Sequence, residues 1–355
     1  MPADTSLTPS AQPLMALVTG FWASKVLAVA NELNLFTDLS RSGGITVVEF
    51  SRHYRIQPRP AEMLLTACAA LGLLEKLDDR YANSRLSDCY LVRDKPMYFG
   101  GWIQMADRRE YPAWMKLRQA LHDNCPQTWD PNKQTSLFDG EDPDLVHDFW
   151  EAMYALSVTT AQKLLDVIDF STTRRLLDVG GGGAAFDIIF CNRYPQLKAA
   201  VYDLPFVCTL TRPKIDRAGL TNRIALIEGD FFADPCLPCG HEVILLSRIL
   251  LDWNEEDCQM IIAKCFSALP PGGRLIICDQ FVNDRKDGPA GAALMSLNML
   301  IETWGRNYTA AEYSVWLKKT GFTRLETIRF DAPAANGAVI GYKTAPEIPA
   351  SQTFP

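Results

Sequence analysis

The chain has 355 residues, 48% hydrophobic and 22% charged, enough to bury a large core in two domains or in one with a substantial N-terminal addition. Its net charge of −7 repels phosphate backbones and no basic patch offsets it, so no nucleic acid and no membrane is expected as a partner. The ten cysteines lie scattered through apolar segments with no signal peptide ahead of them, which predicts free thiols in a reducing cytoplasm. Cys236 and Cys239, with His241 beyond them, form a lone CxxC without a fourth ligand, so no metal is expected.

Residues 1–100 read as mainly helical. Leu14–Leu35 is one helix. Lys25, Asn31 and Glu32 interrupt the apolar run from Leu14 to Phe36, which makes it too polar to span a bilayer and predicts a buried helix. Val47–Tyr54 and Pro60–Leu71 are two shorter helices, with Pro58 and Pro60 marking the second start. Leu73–Leu77 and Tyr81–Asn83 read as two strands about the turn Asp78-Asp79-Arg80, so the order is helix, helix, hairpin, a winged-helix pattern. Its would-be recognition helix carries charge only at Arg59 and Glu62, which suits packing against protein and not a DNA groove. More helix follows over Tyr98–Leu121 and Asp144–Ile168, within a helical segment of residues 101–170.

From Arg174 the texture changes. Apolar β-type runs at Arg175–Val179, Ala199–Asp203, Ile224–Glu228, Val243–Ser247, Arg274–Asp279, Arg324–Arg329 and Ala338–Tyr342 alternate with helical stretches. This spacing predicts an α/β domain over residues 171–345, a Rossmann-like, doubly wound, mainly parallel sheet. The tail, 346–355, is rich in Pro, Ser and Thr and is expected to fray.

The strand Leu176-Leu177-Asp178-Val179 runs into four glycines, Gly180–Gly183, and then a helix over Ala184–Tyr194. Glycines at that junction let a ligand approach the backbone at the carboxyl end of the first strand, where open α/β sheets bind ligands. The run also fits the dinucleotide pattern through Gly180, Gly182 and Ala185. Asp178 argues against it, because a carboxylate there repels a pyrophosphate and favours a cation such as the sulfonium of S-adenosylmethionine. Asp203 ends the second strand, where an acid can accept both ribose hydroxyls. Asp230 and Phe231 follow the third, an acid for an adenine amine beside a ring for its face.

The motifs LLDVGGGG, YDLP, GDFF, LDWNEEDC and ALPPGGRLII, in that order, resemble the plant- and bacterial-type small-molecule O-methyltransferase family. The stretch GFWASKVLAVANELNLF and the hairpin after ALGLLE are similar to that family's winged-helix dimerisation domain. The resemblance covers nearly the whole chain. It implies a class I methyltransferase fold, a homodimer and a small-molecule substrate of secondary metabolism. By position it implies cofactor contacts at Ser157, Gly181, Asp203, Leu204, Asp230, Phe231, Ser247 and Trp253, with Ser247 standing where many members carry Lys.

The family's general base is a His immediately before Asp-Trp. Here Leu251 occupies that position in Arg248-Ile249-Leu250-Leu251-Asp252-Trp253, and Leu cannot take a proton. Of the two acids that flank the His, Asp279 stands for the first and Asn307 for the second. Asp252 and His147 are the candidates for a replacement base. The loss favours methylation at nitrogen or carbon, which carry their own electron density. O-methylation with a substitute base and a non-methylating, for example pericyclic, reaction are the alternatives. The substrate pocket is expected between the domains, lined by Phe149, Met153, Met299, Trp304 and the segment Gln104–Trp114, with Arg108 and Arg109 placed to clamp a carboxylate.

Overall fold

The structure, a computed structural model, describes residues 10–133 and 143–344, and of 143–148 the backbone alone. The chain divides between Asp107 and Arg108 into two compact units. The frayed tail expected over 346–355 lies outside the described residues.

The first unit holds α1 (Gln12–Glu32), α2 (Leu35–Ser42), β1 (Ile45–Thr46), α3 (Val47–Tyr54), α4 (Pro58–Ala70), β2 (Leu74–Leu77), β3 (Arg80–Asn83), α5 (Arg85–Tyr90) and α6 (Gly100–Met105). Its strands form a sheet in the order β1-β3-β2, the expected wing with one short strand added. Thr46 and Glu49 form a reciprocal capping box that starts α3. The helix expected to run unbroken to Leu35 stops at Glu32, because Asn34 adopts left-handed backbone (φ 60°), which Asn tolerates better than most residues.

Within a single chain, burial of α1 is confined to its carboxyl-terminal end. Within one chain only Ala28, Ala30 and Asn31 are buried, while Leu14, Met15, Leu17, Val18, Phe21 and Trp22 are all more than half exposed. By length and composition α1 is able to cross a membrane, so polar interruption did not exclude it; Asn31 and Glu32 sit in its last turn and leave a long apolar run.

The second unit opens with α7 (Tyr111–Trp114), α8 (Leu117–Asp123) and α9 (Pro143–Leu165). The helical stretch expected over Tyr98–Leu121 contains a π-helical turn at Ala106–Glu110. Pro112 has no N–H to continue the i→i−4 ladder, so the backbone there must take another path. Then follow β4 (Arg175–Val179), α10 (Ala185–Arg193), β5 (Lys198–Asp203), α11 (Pro205–Arg217), β6 (Ile224–Glu228), β7 (Val243–Ser247), α12 (Glu255–Ala268), β8 (Arg274–Asp279), α13 (Ala290–Glu302), α14 (Ala310–Thr320), β9 (Arg324–Arg329) and β10 (Gly337–Tyr342). All seven strands lie where the sequence places them, within one residue.

The sheet order is β6-β5-β4-β7-β8-β10-β9, parallel except for β10, which runs antiparallel to both neighbours. Alternate residues point to opposite faces. Leu177, Val179, Ile244, Leu246, Leu275 and Ile277 join one core with α12 and α14, while Leu176, Val243, Leu245 and Ile276 join the other with α9 and α10. The strand order reverses between β4 and β7, where Asp178 lies in register with Leu245. A doubly wound sheet opens its ligand crevice at that switch point, at the strands' carboxyl ends.

Candidate active site

The chain leaves β4 through a loop that cannot carry ordinary side chains. Gly180 and Gly182 have left-handed backbone (φ 70° and 53°). A Cβ on Gly180 would strike Ile249, and one on Gly181 would lie 2.8 Å from the Asp178 carboxyl. Asp203 ties the loop down from β5: its Oδ2 accepts from Gly182 N at 2.8 Å and its Oδ1 from Leu204 N at 2.8 Å. Burial pushes its carboxyl up to about 6 against these two donors. Each oxygen keeps a second lone pair for a ligand. From α9, Trp150 approaches Gly182 and Tyr154 approaches Gly183, so Ser157, on the next turn and half-buried, belongs to the helix that covers the loop.

At the ends of β6 and β7, Phe231, Phe232 and Trp253 form an aromatic cluster, with Phe231 and Trp253 centroids 5.9 Å apart. Asp230 accepts from Phe232 N at 2.7 Å. The Ser247 hydroxyl is buried with only the weak Cys278 thiol beside it. These features fit S-adenosylmethionine: a backbone cradle that any Cβ would fill, two acids at strand ends, an aromatic face and an under-used hydroxyl. When bound, the cofactor supplies an activated methyl group.

Asp178 corrects one step of the sequence argument. It is 1% exposed and faces Asp187 of α10, also fully buried. A hydrogen bond between two carboxyls needs one of them protonated. Burial pushes both up, and repulsion from Asp187 adds to the rise at Asp178. Burial biases both carboxyls toward the neutral form, so Asp178 is a weaker attractor for a sulfonium than a free carboxylate would be. The glycine cradle carries the argument instead.

Beyond β7 the chain turns sharply. Arg248 has left-handed backbone (φ 58°), with its N–H donated to Cys278 O at 3.1 Å, and a short 3-10 turn over Leu250–Asp252 follows. Leu251 is buried, and its backbone oxygen packs where a Cβ on Gly305 would fall. No imidazole of the described residues stands there. Asp252 does, and burial pushes its carboxyl up to about 8 although Arg248 opposes the rise. Asp279, the expected first acid, accepts from Gln280 N at 2.8 Å and Tyr313 Oη at 3.0 Å, and burial raises it to about 6. Asn307, expected in place of the second, donates to Gln280 O, and its Oδ1 is buried without a partner.

Glu302, Asn298 and Arg248 were not expected as site residues, while Glu110 falls in the expected segment Gln104–Trp114. Glu302 of α13 is 4% exposed, raised by burial to about 7, and bears electrostatically on Asp252. Glu110 accepts from Asn298 Nδ2 at 2.9 Å, and Asn298 accepts from Trp114 Nε1 at 2.7 Å. Arg248 points at Met153, with Nη2 4.0 Å from its sulfur. The available signals were a lone acid and a lone amide in an otherwise apolar helix, and an arginine directly after a buried strand.

Among the expected substrate contacts, Met153 lies beside Arg248 and Met299 is 5% exposed. Phe149 stacks edgewise on Trp150 at 5.1 Å, and Trp304, 42% exposed, meets Trp129 at 6.1 Å. Arg109 is placed otherwise than expected. Its Nε and Nη2 both reach Glu302 Oε2 at 3.1 Å, so this guanidinium neutralises a buried acid and is not held open for a substrate carboxylate. The side chain of His147 lies outside the described residues.

Residues 114–323 match the O-methyltransferase domain, and residues 15–93 match the O-methyltransferase dimerisation domain. The chain is 45% identical over 330 residues to 3-hydroxy-5-methyl-1-naphthoate 3-O-methyltransferase of Streptomyces sahachiroi, covering 93% of this chain and 94% of that one. It is 30% identical to L-tyrosine C(3)-methyltransferase of Streptomyces lavendulae, covering 92% and 91%. The crystal structure of human N-acetylserotonin methyltransferase in complex with SAM superposes with a TM-score of 0.85 at 26% identity, covering 96% and 99%. With its glycine cradle at the switch point and both domains matched, the chain belongs to the O-methyltransferase family and is an S-adenosylmethionine-dependent methyltransferase acting on small molecules of secondary metabolism.

Proposed function

We propose that the chain methylates a ring hydroxyl of a fused aromatic hydroxy acid, with Asp252 as the base in place of the missing His. The observation that carries this is Asp252 itself. It is the one residue of the 3-10 turn with a proton-accepting side chain, and a carboxyl raised to about 8 is a far stronger base than an ordinary one. The 45% relative supports the substrate class, since its name specifies a hydroxyl oxygen on a naphthoate. In this reading the Asp252 carboxylate removes the hydroxyl proton. The oxygen so formed would take the methyl group that S-adenosylmethionine, held by the glycine cradle and Asp203, would supply, with the sulfide as leaving group. Glu302 and Arg248 set the basicity of Asp252, the first raising it and the second lowering it.

Ser157, Gly181, Asp203, Leu204, Asp230, Phe231, Ser247 and Trp253 hold the cofactor. Phe149, Met153, Met299 and Trp304 line the aromatic substrate. The enzyme works as a cytoplasmic homodimer, free of membrane and nucleic acid, a reading supported by the dimerisation-domain match and the net charge.

A second reading has one specific support. If no other residue takes over the role that the resemblance gives to a His at position 251, Leu251 favours transfer to carbon or nitrogen, and a 30% relative is named for a carbon methylation. Methyl-labelled cofactor decides between them by product analysis. Label on oxygen is expected. Label on carbon or nitrogen replaces the first reading with the second, and turnover without label transfer points to a non-methylating reaction.

A further inference from the structure

Among the described residues, no carboxylate makes an ionic contact with the Arg248 guanidinium. Its Nε and Nη1 are buried and donate to no acceptor among the described residues. Its Nη2 meets only the Met153 sulfur, at 4.0 Å, a weak acceptor. No carboxylate oxygen of a described residue lies within 4.0 Å of the group. Asp252, Asp279 and Glu110 act on it from farther away.

A buried guanidinium with orphaned donors is costly, and left-handed backbone at a residue with a side chain adds strain. Both costs fall on the same residue, at the carboxyl end of β7, next to the proposed base and facing α9. Arg109, the cation expected to meet substrate, is already spent on Glu302. The unmet need at Arg248 is for a planar anion that presents two oxygens to a fork of N–H donors.

We propose that Arg248 is the anion anchor of the active site, gripping the carboxylate of the aromatic substrate and so fixing which ring hydroxyl reaches Asp252. This rests on the hydroxy-acid reading above and deepens it. Arg248 is a specificity residue: it touches the substrate at a distance from the reacting oxygen and turns the ring about that hold.

The test compares 3-hydroxy-5-methyl-1-naphthoate with its primary amide and with the naphthol that lacks the carboxylate, on the wild-type protein and on Arg248→Met. Methionine keeps most of the length and the apolar stem, and it bears the same backbone strain. For wild type, kcat/KM for the acid is expected to exceed that for either neutral analogue by about 100-fold, the worth of a charge-assisted pair of hydrogen bonds. In Arg248→Met that ratio is expected to fall below about threefold, with the loss for the acid mostly in KM. Arg248→Lys keeps the charge but not the fork and is expected to give an intermediate ratio. Calorimetric binding of S-adenosylhomocysteine checks that each variant is folded. If wild type shows no preference for the acid, or if Arg248→Met retains it, the anchor is overturned while O-methylation of the hydroxy acid stands. The wild-type comparison decides this even if a variant does not fold. If neither acid nor naphthol gains a methyl group on oxygen, the hydroxy-acid reading fails, and the anchor with it.

Discussion

Asp252 and Asp203 divide the chemistry between them, and each has a measurable signature. A general base works only when ionised. With Asp252 raised to about 8, the rate should climb with pH through neutrality and reach half its maximum near 8. Asp252→Asn should lower kcat by about 10²–10⁴-fold and remove that limb of the profile. A profile flat from mildly acid to mildly alkaline pH, with full activity in Asp252→Asn, would remove Asp252 from the mechanism. Asp203→Ala loses two backbone donors as well as its hold on a ligand. Cofactor binding should weaken by about 1.5–3 kcal/mol, read by titration calorimetry, since the hydrogen bonds involve a charged acceptor.

Helix α13 shows how an element delivers polar groups through an apolar surface. Ile301 packs with Ala113 and Ala120 beneath α7 and α8, which holds the helix in place. Asn298 and Glu302, one turn apart, then share the face toward Glu110 and Arg109. The Arg109–Glu302 pair is 12% and 5% exposed at its side chains, so it is screened little by solvent. Arg109→Met strands a buried acid and should cost about 3–5 kcal/mol in denaturant unfolding. Replacing both partners, Arg109→Met with Glu302→Leu, should recover most of that loss, because an apolar pair of similar volume needs no desolvation. If the double variant is no more stable than Arg109→Met alone, the pair is not the source of the cost.

At the scale of the molecule, desolvated acids, three of them buried and Asp252 half-buried, set the response to pH. Asp203 and Asp279 are raised by burial to about 6, Glu302 to about 7 and Asp252 to about 8. Each holds a proton in the folded state that the unfolded chain releases at lower pH. Their contribution to stability is complete below the ordinary carboxylate range and is lost as pH rises through these values. The ligand-free protein should therefore show a Tm that falls between about pH 5 and about pH 9 at constant protein concentration. A Tm that rises over this window would mean these acids fold ionised. Assembly belongs to the same scale. The exposed run Leu14, Leu17, Val18, Phe21 and Trp22 lies within the matched dimerisation domain, and its burial against a second copy predicts a dimer at micromolar concentration by sedimentation. A stable monomer there would leave this face unexplained.

The sequence by itself determined the strands, the glycine junction and the acids at Asp203 and Asp230. Each is a local property: a short apolar run bounded by turn residues, or a residue type that a strand end needs. It also showed that Leu251 cannot serve as a base. What only the tertiary structure decided were the relations between distant segments. Arg109 meets Glu302 across 193 positions, Asn298 meets Glu110 across 188, and Asp178 faces Asp187, where burial and repulsion together push the Asp178 carboxyl up. A charge on its own looks available in a linear chain. Its ionisation and its partners depend on desolvation and on neighbours that no sequence window contains, which is why Arg109 looked free in the sequence and why Arg248 meets no carboxylate among the described residues.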